Sequence, residues 1–157
     1  VFTDIIPHDG ITYCNIALDR VLGLCGIPRM TNRVTGQPHL ANDMIDTMRA
    51  KTNLWTLVGG DLACASAGQG VLVVACQQAE GHGHLAPCYP IGMVFSPSWG
   101  KQVPYLSNVG RKNGVLRASQ CFRTECEYYS VKIEVKDVAK DNTDIGGQVV
   151  SGDGQVA

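Results

Sequence analysis

Ile11-Thr12-Tyr13-Cys14-Asn15-Ile16-Ala17-Leu18-Asp19-Arg20-Val21-Leu22-Gly23-Leu24-Cys25-Gly26-Ile27-Pro28 opens on a capping residue and closes on two breakers. Thr12 is placed to cap a helix, and Gly26 and Pro28 to stop one. Between them Ala17, Leu18, Val21, Leu24 and Cys25 recur at three-to-four spacing, the period of one helical face. The spacing predicts an amphipathic helix with Cys14 in its first turn.

Downstream, a loop rich in Thr, Asn, Gly and Pro leads to Pro38, a favourable early helix position. A second helix is expected from there to about Lys51, burying Leu40, Ala41, Met44, Ile45 and Met48. Residues 55–70 mix alanines with polar and small residues and stay ambiguous. From Val71 the character changes. Residues 71–76 read as a buried strand, and Gly81-His82-Gly83-His84 leads sharply into a short extended piece. Residues 101–109, 115–122 and 127–135 have strand composition, with Tyr128, Ser130, Lys132 and Glu134 facing away from Tyr129, Val131, Ile133 and Val135. Helices first and antiparallel strands afterwards predict an α+β domain, its N-terminal helices packed on an antiparallel sheet. Residues 1–136 would form this single domain, and the polar, Gly-rich residues 137–157 a tail.

The chain has 157 residues, 45% of them hydrophobic, which suits one domain with a substantial core. Its 13 Lys+Arg against 14 Asp+Glu leave a net charge of −1, and no basic run interleaves with aromatics, so no nucleic-acid partner is expected. The longest apolar runs fall well short of the ~20 residues of a membrane helix, so no membrane insertion is expected either. The first residue is not Met and no basic-then-apolar leader follows, so a mature product or a section of a longer chain is expected. Seven cysteines, at 14, 25, 64, 76, 88, 121 and 126, are an odd number, and no Cys-x-x-Cys pair occurs. A zinc ribbon or thioredoxin-type centre is therefore not expected, and most of these thiols read as small core hydrophobes.

A cysteine in the first turn of a helix faces free backbone N–H groups and the positive end of the dipole, both of which favour a thiolate. The same N–H groups can receive a developing oxyanion. From the residues alone Cys14 reads equally well as a nucleophile or as an ordinary buried thiol on the apolar stripe. Its proton carrier must come from His8, His39, His82 or His84. His8 and His39 read as exposed. His82 and His84 are flanked by Gly81 and Gly83, which allow close approach to the imidazoles, and two residues apart in an extended segment share a face. One imidazole could serve Cys14 as general base and then general acid. Alternatively His82 and His84 could join Cys76 or Cys88 around zinc, although further ligands at familiar spacing are missing.

Taken in order, Cys14 at a helix start, Ala41-Asn42-Asp43-Met44-Ile45-Asp46, Trp55 in a turn, Gln69-Gly70-Val71-Leu72-Val73-Val74-Ala75 and Gly83-His84-Leu85-Ala86 resemble the peptidoglycan amidases of the papain-like superfamily. The NlpC-type and CHAP-type enzymes are closest, among them the secreted amidase effectors that bacteria deliver into rivals. The resemblance covers about half the chain, with a weaker likeness at Asn108-Val109-Gly110 and over residues 119–122. It implies a papain-like cysteine hydrolase with residues 1–136 as its catalytic domain. Such an enzyme cuts an amide bond of the wall's peptide stems without a metal or other cofactor. Its place is the bacterial periplasm or cell wall, reached by secretion or delivery, and a cognate immunity protein is a possible partner. By the same resemblance Cys14 is the nucleophile and His84, which occupies the Gly-His-apolar-Ala position, the base. A polar group from a following strand then orients the imidazole. Ser96, Ser98 and Asn108 are available, and Ser98 is the expected one. Tyr13, His82 and Trp99, with Tyr105, would rim the substrate groove.

Two departures stand out. Pro87 and Pro90 interrupt the strand after His84, which suggests a short or edge strand. Tyr13 and Asn15 flank the nucleophile where the NlpC type often has Asp and Ser. Other papain-like activities, namely a protease, deamidase or transglutaminase acting on a protein, and a noncatalytic binding module, are the alternatives.

Overall fold

The computed structural model describes residues 13–131. Four helices and six strands follow one another as α1 (Cys14–Leu24), α2 (Ala41–Ala50), β1 (Trp55–Val58), α3 (Gly60–Gly68), β2 (Val73–Gln77), β3 (His84–Ser96), β4 (Lys101–Asn108), β5 (Gly114–Arg117), α4 (Ala118–Cys121) and β6 (Glu127–Val131). The strands form one open sheet in the order β1-β6-β2-β3-β4-β5, with every neighbouring pair antiparallel. Among the described residues no helix is long and apolar enough to cross a membrane. The boundary at residue 136, the tail at 137–157, His8 and Thr12 lie outside the described residues.

The alternation of side chains along β2 builds two cores. Val74 and Cys76 face one side with Leu85, Tyr129 and Val131, under α1 and α2. Val73 and Ala75 face the other with Ala86, Cys88, Leu106 and Phe122, under α3 and α4. Both faces of the sheet are therefore covered, the N-terminal helices α1 and α2 on one and α3 and α4 on the other. Burying a side chain such as Leu18, Leu22 or Ile45, none of which is exposed, stabilises the fold by about 1.5–3 kcal/mol each.

Helix α1 differs from its predicted stripe. Its N-cap is Tyr13, without a side-chain cap bond, and its buried residues are Cys14, Ala17, Leu18, Asp19 and Leu22, while Leu24 and Cys25 are exposed. The chain turns away at Gly26, whose φ of 67° suits glycine, so the last two stripe residues never reach the sheet. Helix α2 buries Ala41, Met44, Ile45 and Met48 as expected, but Leu40 is its exposed N-cap, and Pro38 bridges to Thr31 before the helix begins.

The prolines of β3 mark a change of partner. Residues 84–87 pair with β2 and residues 88–96 with β4. Pro87 is the last residue paired to β2, and Pro90 lies in the register shift between Tyr89 and Met93, so both sit where the ladder is already interrupted. The strand carrying His84 is thus 13 residues long and interior to the sheet, neither short nor on an edge. The expected strand over 115–122 breaks after Arg117, whose N–H donates to Gln120 Oε1 at 3.3 Å as α4 begins.

Candidate active site

The change of partner along β3 opens a fork at its start. With β4 paired only from Cys88 onward, the first four residues of β3 have no strand on that side, and the N-terminus of α1 reaches this end of the strand. Cys14 is the first residue of α1 and only 5% exposed. The backbone N–H groups of Leu85, Asn15 and Cys14 itself lie near its thiol and favour the thiolate. The last two belong to the helix's first turn, where backbone donors have no intrahelical acceptor. Leu85 directly follows His84, so the thiol lies against the β3 backbone one residue along from the imidazole-bearing position.

His84 is the half-buried first residue of β3. Its Nε2 lies 2.7 Å from Asn108 Oδ1 at the end of β4. Asn108 is itself buried, and its Nδ2 donates to the Lys112 carbonyl at 2.6 Å. That bond turns Oδ1 toward the ring, so Nε2 must be the protonated nitrogen and Nδ1 is left as the basic one. The Phe122 ring stands 5.2 Å from the imidazole, tilted by 54°.

Helix α2 holds the approach to this strand. Asn42 Nδ2 donates to the Ala79 carbonyl at 2.9 Å, Gln78 Nε2 donates to Asp46 Oδ1 at 2.6 Å, and Arg49 donates to Gln78 Oε1. Arg49 also pairs with Glu127 at 2.7 Å, tying the same helix to β6. Gly83 fits only as glycine: a Cβ there would run into Asn42 Oδ1 and lie 3.0 Å from the Gln77 carbonyl. Its role is close packing on α2, where the sequence suggested access for a ligand.

Burial governs the electrostatics. It pushes the Cys14 thiol up, against the three N–H donors that favour the thiolate. It pushes His84 down from 6.5, with the Asn108 bond acting in the opposite sense. Both directions favour the uncharged forms, so burial works against the resting thiolate that the helix address suggests.

The remaining expected residues are placed as follows. Ser98 is not the imidazole's partner: it sits in the β3–β4 turn, its Oγ 3.2 Å from Ser96 Oγ, at the opposite end of β3 from His84. Trp99 occupies the same turn and packs against the α3-side core, lining a cavity of about 350 Å³ with Met93 and Tyr128. It is not beside Cys14. His82 is exposed in the loop before β3, after Gly81 at φ 80°, so it does not extend the strand face of His84. Tyr13 adjoins Cys14 and packs with Ala17 and Val109. Tyr105 lies on β4 opposite Tyr89. Among the described residues no three His, Cys, Asp or Glu side chains come together to hold a metal, and the zinc alternative fails on topology. His82, in the loop after Gly81, does not share a face with His84, and Nε2 of His84 is taken by Asn108.

Sequence reading offered Asn108 without selecting it and missed Phe122, the Lys112 carbonyl and the α2 clamp. A polar residue two positions before a glycine at a strand end was the available signal for Asn108. No model of a known protein family matches the chain, and no curated protein matches it.

Proposed function

We propose that the protein is a cysteine-dependent amidase or endopeptidase that hydrolyses amide bonds in peptidoglycan stem peptides through an acyl-enzyme. The observation that carries the reading is the placement of Cys14, at the start of α1, against the β3 backbone at Leu85, the residue that follows His84, whose Nε2 lies 2.7 Å from Asn108 Oδ1. Cys14 Sγ attacks the substrate carbonyl while its proton passes to Nδ1 of His84. The carbonyl oxygen takes the negative charge, and first-turn N–H groups of α1 receive it. As the C–N bond breaks, His84 returns the proton to the leaving amine. Water then attacks the thioester with His84 again as base, and cleavage of the C–S bond restores the thiol. A neutral resting pair suits this sequence, because the imidazole must start unprotonated to accept the thiol proton.

The chemistry is supported by the geometry, and the wall substrate by the ordered resemblance of residues to the NlpC-type and CHAP-type enzymes. On this reading the protein works in the bacterial periplasm or wall after secretion or delivery, and a cognate immunity protein is a possible partner. Incubation with isolated sacculi, followed by mass analysis of released peptides, tests it. Release of new peptide termini by the wild type and not by Cys14→Ala is expected. Intact sacculi alongside cleavage of a protein substrate would move the activity to the protease alternative, and no cleavage of either would leave a binding module.

A further inference from the structure

We infer that Gly110 and Phe122 form a slot that sets the plane of the His84 imidazole, with Gly110 as a positioning residue whose missing side chain is the space the ring occupies. The β3–β4 register pairs Cys88 with Leu106; continued past the last paired residues, it sets Asn108 opposite Ala86 and Gly110 opposite His84. The ladder has opened there, and the imidazole fills the gap. A Cβ on Gly110 would lie 3.2 Å from His84 Cε1, 3.3 Å from Asn108 Nδ2 and 3.7 Å from His84 Nε2. Contacts that tight force a neighbour to yield, and both nearest neighbours belong to the one hydrogen-bonded pair.

The backbone itself does not ask for glycine at this position. Gly110 is absent from the residues at positive φ, whereas Gly114, four residues on, has φ 143° and open space around it. Gly110 is buried, and its N–H donates to Asn113 Oδ1 at 3.1 Å, which resists a backbone shift that would make room for a methyl group. The Phe122 ring, 5.2 Å away and tilted by 54°, also packs on the imidazole and limits how far it can step away. A methyl at 110 therefore acts on the angle and length of the His84–Asn108 bond.

The activity arm of the test rests on the proposed role of His84 as general base; the spectroscopic arm does not. Gly110→Ala is compared with Gly68→Ala, a site at the end of α3 with nothing within 4 Å of its added Cβ. Imidazole ¹⁵N resonances of His84, followed through a pH titration, should move in Gly110→Ala and stay in place in Gly68→Ala. Sacculus cleavage should fall about tenfold or more in kcat with KM little changed, as expected for misplacement by a fraction of an ångström. Unchanged His84 resonances in a folded Gly110→Ala protein overturn the slot, whatever the activity. Where Gly110→Ala does not fold, Phe122→Leu carries the test from the other residue packed on the ring: the same resonances must move, and their constancy overturns the inference. Moved resonances in a protein that cleaves no amide retain the slot and reject the amidase.

Discussion

Asn108 donates its Nδ2 to the Lys112 carbonyl at 2.6 Å, and through that bond a loop backbone selects the tautomer of a histidine it does not touch. With Nδ2 committed, Oδ1 can only accept from His84 Nε2, and Nδ1 keeps its lone pair. Asn108→Ala removes the acceptor and leaves the Lys112 carbonyl without its donor. On the proposed mechanism kcat for sacculus cleavage drops about 10- to 100-fold while KM changes little. Asn108→Asp keeps an acceptor but sets a carboxylate beside the ring. That raises the imidazole's affinity for a proton, so the acid limb of the rate profile moves up by about a unit. A profile in Asn108→Asp superimposable on the wild type would remove Asn108 from the role.

The lowered proton affinity of His84 has two readouts. Activity needs the neutral ring, so the rate should hold below pH 6.5 and fall only as pH drops through the folded-state value. Stability follows the same window with a fixed sign. The unfolded chain takes up the proton near 6.5 and the folded one only at lower pH, so the unfolded state binds more protons between the two. Stability is therefore intact above 6.5 and declines as pH falls toward the folded value. Urea midpoints of the wild type between pH 7.5 and 5 should show this decline, and His84→Gln should flatten it. An equal slope in both proteins would assign the acid sensitivity to other groups.

What could be read in advance divides by range. The Cys14 address, the Met44, Ile45 and Met48 face of α2 and the Gly-His entry to β3 follow from local periodicity and turn chemistry, and the structure places each accordingly. Choosing Asn108 over Ser98 required the Cys88–Leu106 register, which no local pattern encodes. Pro87 and Pro90 looked disruptive because the strand's hand-over from β2 to β4 is a tertiary event. Asp19 was passed over because hydropathy cannot anticipate that a carboxylate 1% exposed is held by Arg29 from the loop beyond the helix. Residues 115–122 failed as one strand because the chain turns into α4 at Ala118, where the Arg117 N–H donates to Gln120 Oε1 and the Phe122 N–H to the Ala118 carbonyl.

Buried thiols make the fold sensitive to alkali. Burial raises Cys76 and Cys121 to about 12 and Cys126 to about 11, all above the ordinary value of 9.0. The folded values are raised, so the stability linked to these thiols is fully present below the unfolded-state value and is lost as pH climbs from about 9 toward about 12. For Cys76, with no exposed surface, the loss at pH 10 is on the order of 1 kcal/mol. Denaturant midpoints at pH 7.5 and pH 10 should diverge in the wild type and converge partly in Cys76→Ala, whose stability at pH 7.5 is itself reduced by the lost packing. Equal divergence in the two proteins would place the alkaline transition elsewhere.

Asp19 tests how a charge inside α1 is tolerated so close to Cys14. The carboxylate is 1% exposed, and Arg29 Nε lies 3.1 Å and 3.0 Å from its two oxygens, with a further contact from Nη2. The Arg29 side chain runs over Gly23, its Cδ 3.6 Å from where a Cβ would stand, so the guanidinium reaches back across the helix end to its partner. Removing the cation alone leaves a buried carboxylate with no counter-charge, whereas removing both charges leaves an amide in a polar niche. Arg29→Gln should therefore lower the urea midpoint more than the Asp19→Asn, Arg29→Gln double variant. Because the helix carries Cys14 at its other end, activity should track stability in both proteins rather than collapse independently. If the double variant proves less stable than Arg29→Gln, the pair contributes through geometry that neutral groups cannot reproduce, and the unpaired-charge account of Arg29 is wrong.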